Sequence, residues 1–542
     1  MLQLHDIDRL PHDPDALREV IRTLWAESDQ KQRNIIDLTS TIEKYKQENA
    51  WLREVIAARN RRLFGRKSEK LTDKELQAWL FNEAELGALA KKPAAEEKVE
   101  TITYTVTRRR KKGRKAISAD LPRKIIEHDL PEDAKRCTSC GKERPRLTPD
   151  VSEELEYIPA RIFVNCHVHH KYGPCTCGKT DEGKPIISGG REPRILPGSI
   201  ASPSLLSHLA VSKFCDGLPF YRLEKMFGRL GVEYTRATMC NQMIGLSRAL
   251  QPLLELMWED VRRGPVIRMD ETRLQVLHEH GREAEQQSWM HVALGETAEG
   301  KIILYHYHTT RDHSVPERIL SGWSGYLQTD GLAAYHSAAE CPGIVHVGCW
   351  AHVRRKFIDA RGGPKAPPGG LADEALALIR RLFMIERELR EKELADEEFA
   401  AQRRMRVEPV FAELEVWLET HLAKIAPQSM LFEAMRYMRN EWEKLIRYPD
   451  HPWLRPDNNM VENAIRPFVV GRKNWLFANT PLGAHASATL YSFIETAKAN
   501  GLEPYAYMRR LFQVLPATHK EKLCDLLPYR INRQLLDLPM TG

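Results

Sequence analysis

The chain has no apolar run approaching the roughly 18 residues that a membrane-spanning helix needs, so none is expected. Its opening residues, MLQLHDIDRLPHDPD, lack the apolar stretch of a secretory signal, and the expected location is the cytoplasm. Cysteine is scarce: 10 in 542 residues are too few for a disulfide scaffold. Four of these cysteines stand at metal-ligand spacing, which suits a reducing compartment. A strong net charge is missing too. The formal balance is only +7, so where the cations cluster matters more than their sum. The length fits about three or four domains.

A heptad runs unbroken from Leu17 to Leu63. One seam position holds Ile21, Ser28, Ile35, Ile42, Asn49, Ile56 and Leu63; the other holds Leu17, Leu24, Lys31, Leu38, Tyr45, Leu52 and Arg59. Ten of these fourteen are apolar, over more turns than a globular helix needs. Isoleucine at one seam position and leucine at the other favour two parallel strands, with Asn49 fixing register. A homodimer or higher homo-oligomer is therefore expected; the alternative is an amphipathic helix packed on its own body. After an Ala/Lys/Glu-rich linker comes a basic arm, Arg108, Arg109, Arg110, Lys111, Lys112, Arg114 and Lys115. It is either a solvated charge run or a flexible arm along phosphates, each neutralised phosphate releasing counterions.

Cys137 and Cys140 form a knuckle of the kind that wraps Zn²⁺, and Cys175 and Cys177 supply a second pair 35 residues after Cys140. The segment between them alternates as strands do. Four thiolates from two knuckles describe a zinc ribbon with a structural Zn²⁺ and no open coordination position. The alternative is a set of unrelated buried thiols. Cys166, His167, His169 and His170 are substitute ligands by type but are read as strand residues. A helical stretch follows, in which Gly231-Val232 and then Thr235 to Thr238 resemble the turn and recognition-helix start of a helix-turn-helix.

The next segment carries the chemistry. VIRMDETRLQV, SWMHVALGE and KIILYHYHTT predict three consecutive strands. A short helix, the strand GYLQTD, a second helix, the strand GIVHVGCW and a helix opening at AHVRRKF come next. Three antiparallel strands followed by alternating helices and strands is the order of a ribonuclease H-like fold, with first and fourth strands side by side. That order would bring Asp270 beside Asp330. Period-two alternation sets Asp270 on the face of Arg268 and Thr272, and Glu271 on the core face of Ile267 and Met269. Glu462 heads a helix expected to begin after Pro456-Asp457-Asn458 and to end or kink at Pro467. A basic turn, Gly471-Arg472-Lys473, is expected after it. Three converging carboxylates suit a pair of Mg²⁺ or Mn²⁺ ions about 4 Å apart, the arrangement that cuts and joins phosphodiesters. Arg466, Arg472 and Lys473 are candidates for steadying phosphate charge; an ordinary solvated loop is the alternative for the last two. The gap of about 130 residues between Asp330 and Glu462 is too long for the fold's own elements, and its charged helical sequence predicts an inserted helical domain.

The strings FGRKSEKL, EHDLPEDAKRCTSCGK, MDET, TDGLAAY, GCWAHVRRKF and NNMVENAIRPFVVGRKNWLF, with LEPYAYMRRLF and LLPYRIN near the end, resemble transposases of the insertion sequence 66 family over nearly the whole chain. The resemblance implies a DDE-class transposase with Asp270, Asp330 and Glu462 as its metal-binding triad, and a zinc-binding domain that helps recognise the element's ends. Double-stranded DNA would be the partner, at element ends and target, with accessory proteins conceivable and nucleoid association when bound. Two features depart from the family pattern: the single spacer between Cys175 and Cys177, and the loop RGGPKAPPGG. Neither touches the triad.

The expected fold class is multidomain α+β: a ribonuclease H-like α/β catalytic core with a helical insertion, plus an N-terminal coiled coil and zinc ribbon. The boundaries are a coiled coil over 1–70, linker and basic arm over 71–125, zinc ribbon over 126–190 and a helix-turn-helix-like region over 191–258. The core follows over 259–358 and 451–500, interrupted by the insertion at 359–450, and a helical tail fills 501–542. The rival function is a catalytically inert DNA-binding regulator. A ribonuclease H-like nuclease without strand transfer is the third reading.

Overall fold

The computed structural model describes residues 13–64, 162–172, 187–188, 192–363 and 369–536. The basic arm and the four knuckle cysteines Cys137, Cys140, Cys175 and Cys177 lie outside the described residues. The chain divides into two compact units, Met1–Ala90 with Lys171–Gly542, and Lys91–His170. No described helix is long and apolar enough to cross a membrane.

In the larger unit, helix α1 (Pro14–Phe64) runs 51 residues without a break. Asp13 caps it, its Oδ2 accepting the Ala16 N–H at 3.1 Å, and Pro14 fills the first turn, where a missing N–H costs nothing. At 1.5 Å per residue the helix is roughly 75 Å long. Its seam residues Ile21, Leu24, Ile35, Leu38 and Ile42 are all exposed in the single chain. Strands β1 (Lys171–Tyr172) and β2 (Ile187–Ser188) pair antiparallel.

The smaller unit is described only at 162–170. The alternation that predicts a strand there is not realised among the described residues, which carry no ladder at 162–170. Phe163, Val164 and Val168 are exposed, and Cys166 is a free exposed thiol. Alternation supplies a face, but a strand also needs a partner to take its backbone hydrogen bonds.

Four helices then lead to the sheet: α2 (Pro203–Phe214), α3 (Phe220–Arg229), α4 (Arg236–Ala249) and α5 (Gln251–Arg263). Between α3 and α4 the chain turns at Gly231 (φ 77°), and Thr235 caps α4 by accepting the Thr238 N–H at 3.3 Å. The sheet has five strands: β3 (Val266–Gln275), β4 (Gln287–Thr297), β5 (Gly300–His308), β6 (Gly325–Gln328) and β7 (Ile344–Val347), in the order β5-β4-β3-β6-β7. β3, β4 and β5 are antiparallel; β6 runs parallel to β3, and β7 parallel to β6. The first and fourth of these strands are thus neighbours, as their order along the chain predicts. Short helices α6 (Ser314–Ile319) and α7 (Ala333–Ala339) make the crossovers, and α8 (Trp350–Arg361) follows β7.

Three helices separate α8 from the chain's return to the sheet: α9 (Leu371–Arg390), α10 (Asp396–Leu422) and α11 (Met430–Leu445). They share a hydrophobic cluster with α8 that includes Trp350, Phe357, Leu382, Phe411 and Met438. A second cluster joins α2–α5, most of the sheet and the last three helices, α12 (Asn459–Trp475), α13 (Pro481–Ala499) and α14 (Pro504–Val514).

An edge strand leaves backbone groups open to misplaced pairing. Here α13 closes the β5 edge through side chains four residues apart on one helical face. Ser492 Oγ accepts the Tyr305 N–H (2.8 Å). Thr496 Oγ1 accepts the Ile303 N–H (3.0 Å) and donates to its carbonyl (2.9 Å). Asn500 takes the Lys301 N–H (3.0 Å) and donates to its carbonyl (2.7 Å).

Two expectations for the Glu462 helix need correction. It begins at Asn459 as predicted, but it does not end at Pro467 and runs on to Trp475. A proline inside a helix removes one N–H bond. The surrounding packing compensates: Phe468 is fully buried against Tyr305, Trp475 and Tyr491, and Tyr305 Oη donates to the Ala464 carbonyl. Consequently Gly471-Arg472-Lys473 is the helix's last turn and not a loop. A Cβ at Gly471 would meet Tyr491 Oη at 2.6 Å and Trp475 Nε1 at 2.9 Å, so the glycine serves close packing.

Candidate metal centre

The register of the parallel pair decides where the carboxylates lie. Ile267 stands opposite Leu327 and Arg268 opposite Gln328. Asp270 and Asp330 are each two residues beyond that last matched pair, just past the point where the parallel ladder ends. β3 continues past Asp270 against β4, whereas β6 stops at Gln328, which leaves Asp330 on the loop that opens α7. There its Oδ1 accepts the Leu332 N–H at 3.2 Å. Asp270 Oδ1 accepts the Glu271 N–H at 2.8 Å.

Glu462 arrives from far along the chain, and buried polar groups fasten the segment that carries it. Arg268 is fully buried on β3. It donates to Gln328 Oε1 (3.2 Å), to Glu296 Oε2 (2.9 Å) and to the Trp453 carbonyl. Gln328 Nε2 donates to the Arg455 carbonyl at 2.6 Å. Asn458 Nδ2 donates to the Met269 carbonyl at 3.0 Å, and its N–H reaches Cys349 Sγ at 3.2 Å. The stretch from Trp453 to Asn458 is thereby tied to both strands, and α12 starts after it with Glu462 in its first turn, packed against β3 and β4. The face of Arg268, read from sequence alternation as the open side of β3, is closed by this segment; both faces are buried from Val266 to Met269.

The three carboxyl groups act on one another. Burial, and then the charges of Glu271, Glu462 and Asp330, push the Asp270 carboxyl well above its ordinary range. Burial likewise raises Asp330 and Glu462; the Asp330 charge adds to the rise at Glu462, which the nearby Arg355 guanidinium opposes. Arg355 Nη2 lies 3.4 Å from Glu462 Oε2, while Glu462 Oε1 is buried with no hydrogen-bond partner. Glu271 belongs to the same neighbourhood. Tyr335 Oη donates to its Oε2 at 2.6 Å, and burial still raises it to about 6. Four mutually repelling acids in one half-buried pocket are what a multivalent cation would relieve.

Cations ring the pocket. Arg472 Nη1 donates to Thr272 Oγ1 at 3.2 Å, and burial plus the neighbouring Arg273 charge lower its basicity. Arg311 attracts both Asp330 and Glu271, and its guanidinium stands 4.5 Å from the Trp289 ring, with that of Arg273 5.9 Å from the same ring. Arg466 is half-buried one turn beyond Glu462, and Lys473 is exposed at the end of α12. Sequence reasoning missed Arg268, Gln328, Asn458, Tyr335, Arg311 and Arg355. Only the runs MDET and TDGLAAY, where several of their partners crowd together, hinted at a site there.

Fold and site define a mixed α/β protein with an acidic pocket at the carboxyl edge of its parallel strands, suited to hard divalent cations. Residues 198–486 match the family model described as Transposase IS66 family, residues 492–529 the IS66 C-terminal element, and residues 51–126 a model described as Transposase C of IS166 homeodomain. The chain belongs to the IS66 family of transposases, and that membership implies DNA as its partner. It is similar to two proteins of Sinorhizobium fredii, both named only as uncharacterized. One, y4qI, is 29% identical over 95% of this chain and 97% of its own length. The other, y4hP, is 27% identical over 87% of each.

Proposed function

We propose that this transposase is a DDE enzyme on a ribonuclease H-like core, cutting the ends of its element and joining the freed 3′-hydroxyls to target DNA. The observation that carries the reading is the register-matched pair Asp270 and Asp330 with Glu462 in electrostatic contact with both. The donor set fits Mg²⁺ or Mn²⁺: every ligand is a hard carboxylate oxygen, and the buried, unpartnered Glu462 Oε1 has a lone pair to give. When bound, a pair of such ions supplies the Lewis acidity that activates the attacking oxygen and stabilises the leaving one. Asp270, Asp330 and Glu462 would hold the ions; the segment from Trp453 to Asn458 keeps Glu462 in place. Arg466, Arg472 and Lys473 steady phosphate charge beside the pocket. Water attacks first and releases a 3′-hydroxyl; that hydroxyl then attacks a target phosphodiester and displaces another 3′-oxygen. No covalent link to the protein is required.

The exposed seam of α1 supports dimerisation through a parallel coiled coil, which sedimentation of the full chain against one lacking residues 1–64 reads directly. The arm Arg108 to Lys115 and the turn between α3 and α4 are proposed DNA contacts. Cys137, Cys140, Cys175 and Cys177 are proposed ligands of a structural Zn²⁺.

The test is an assay of an end-containing duplex with Mn²⁺ or Mg²⁺, comparing the wild type with Asp330→Asn. Nicked and joined products from the wild type, falling to background in the variant, are expected. A wild type that binds the duplex without nicking it is the regulator instead, and nicking without joining is a nuclease. Full activity in Asp330→Asn removes that residue from the mechanism.

A further inference from the structure

Beside the aspartates lies a second, chemically different set of donors. Cys349, His352 and Glu462 each offer a ligand atom, and these atoms all lie within 4.8 Å of one another. Cys349 is the residue that caps α8, His352 follows in its first turn, and Glu462 stands in the first turn of α12. Cys349 is 2% exposed and Glu462 7%. His352 Nδ1 and Glu462 Oε1 are 3.7 Å apart, both buried, and neither has a hydrogen-bond partner.

That separation is too long for a hydrogen bond. It is close to the roughly 3.4 Å between two ligands of one tetrahedral ion with bonds near 2.1 Å. Two orphaned polar atoms aimed at the same space each carry a desolvation cost unless something joins them. The imidazole is ready to coordinate. A neutral imidazole coordinates through the ring nitrogen that lacks the proton, and Nδ1 is the His352 atom buried without a partner. The thiol is protonated in the bare protein, because burial and the Glu462 and Asp457 charges push it up. Only a cation with real affinity for sulfur would expel that proton, and Mg²⁺ has little.

We propose that Cys349, His352 and Glu462 form a site for one thiophilic divalent cation of the Zn²⁺ class, distinct from the all-carboxylate site and sharing Glu462 with it. Binding exchanges the Cys349 thiol proton for the cation, and the proton leaves to solvent. Three protein ligands leave the fourth tetrahedral position open. The site stands on its own geometry, whether or not Asp270 and Asp330 hold Mg²⁺. Because Glu462 serves both, occupancy of one site is felt at the other.

The experiment uses the full chain, stripped with chelator and titrated with Zn²⁺, and separately with Co²⁺ as a spectroscopic stand-in. The knuckle cysteines are proposed ligands of a separate Zn²⁺, so the readout is a difference between variants. Wild type is expected to take up one equivalent more than Cys349→Ser. Its Co²⁺ form should show a sulfur-to-cobalt charge-transfer band that weakens in that variant. His352→Gln should weaken this equivalent at least about tenfold, and it carries the test if Cys349→Ser fails to fold by circular dichroism. Asp330→Asn should keep the equivalent. Unchanged stoichiometry and affinity in both the Cys349 and His352 variants overturn the proposal. So does loss of the equivalent in Asp330→Asn, which would assign the ion to the aspartate pocket. None of these readouts depends on DNA cleavage, so failure here is distinct from failure of the transposase mechanism.

Discussion

Arg268→Met is the most direct probe of how the site is assembled. Methionine fills most of the arginine's volume and leaves the apolar packing of β3 nearly intact, so the change isolates polar contacts. Three are lost: the 2.9 Å ion pair with Glu296, the 3.2 Å bond to Gln328 and the bond to the Trp453 carbonyl. Removing one member of a buried pair typically costs about 3–5 kcal/mol, mostly because the other charge is stranded. The Glu296 side chain keeps 19% exposure, so water offsets part of that. The low end, about 3 kcal/mol, is the expected loss. In a unit of more than 250 residues, at roughly 1–2 °C per kcal/mol, the melting temperature should fall by about 3–6 °C, read by calorimetry. Hydrogen exchange should quicken selectively at 453–458, the segment that Arg268 holds. Adding Glu296→Gln to the variant should restore about 1 kcal/mol or more by removing the stranded charge. A single variant melting within about 1 °C of wild type, or a double variant less stable than the single, would refute this account.

The acidic pocket makes a pH prediction. Glu271 titrates at about 6 in the fold against an ordinary 4.5, so the fold disfavours its charge. The stability associated with its protonated form is complete below about pH 4.5 and is lost as pH rises through about 6. In metal-free protein, Glu271→Gln should therefore raise stability at pH 8 by up to about 2 kcal/mol and change little at pH 4. Equal melting shifts at both pH values would count against the repulsion described. The cations around Trp289 make a binding prediction. Arg273→Ala and Arg311→Ala should each weaken duplex binding in EDTA and flatten the salt dependence by about one unit of slope. Unaltered slopes in both would place the DNA elsewhere.

Much of the sheet was legible because its signals are local. Strand positions, the turn at Glu296 to Gly300 and the β6–α7–β7 alternation follow from short windows, although GYLQTD and GIVHVGCW yield strands of only four residues each; the neighbouring places of Asp270 and Asp330 follow from strand order. What escaped was tertiary. Pro467 reads locally as a helix stop, yet Phe468 and Tyr305 hold the helix together across it. Arg268 and Gln328 look like ordinary strand polars. Their role appears only when a segment some 125 residues after Gln328 lays its carbonyls across them. The alternation around Cys166 failed in the opposite sense: its pattern is sound, but the described residues supply no ladder for it.

Glu462 shows how the two kinds of information meet. Its position in the first turn of α12 places it where a helix dipole favours a carboxylate, typically by 0.3–1 kcal/mol or somewhat more when buried. Arg355 favours its charge as well, yet its pKa is raised, because burial and the neighbouring acids outweigh both. The fold thus holds a carboxylate where the bare protein disfavours its charge, and fastens it there with Asn458, Arg268 and Gln328 instead of with a full complement of its own hydrogen bonds. The proposed metal binding accounts for an oxygen kept buried and unpartnered: a cation held there would relieve the repulsion, and its affinity would draw on the free energy that the bare fold forgoes.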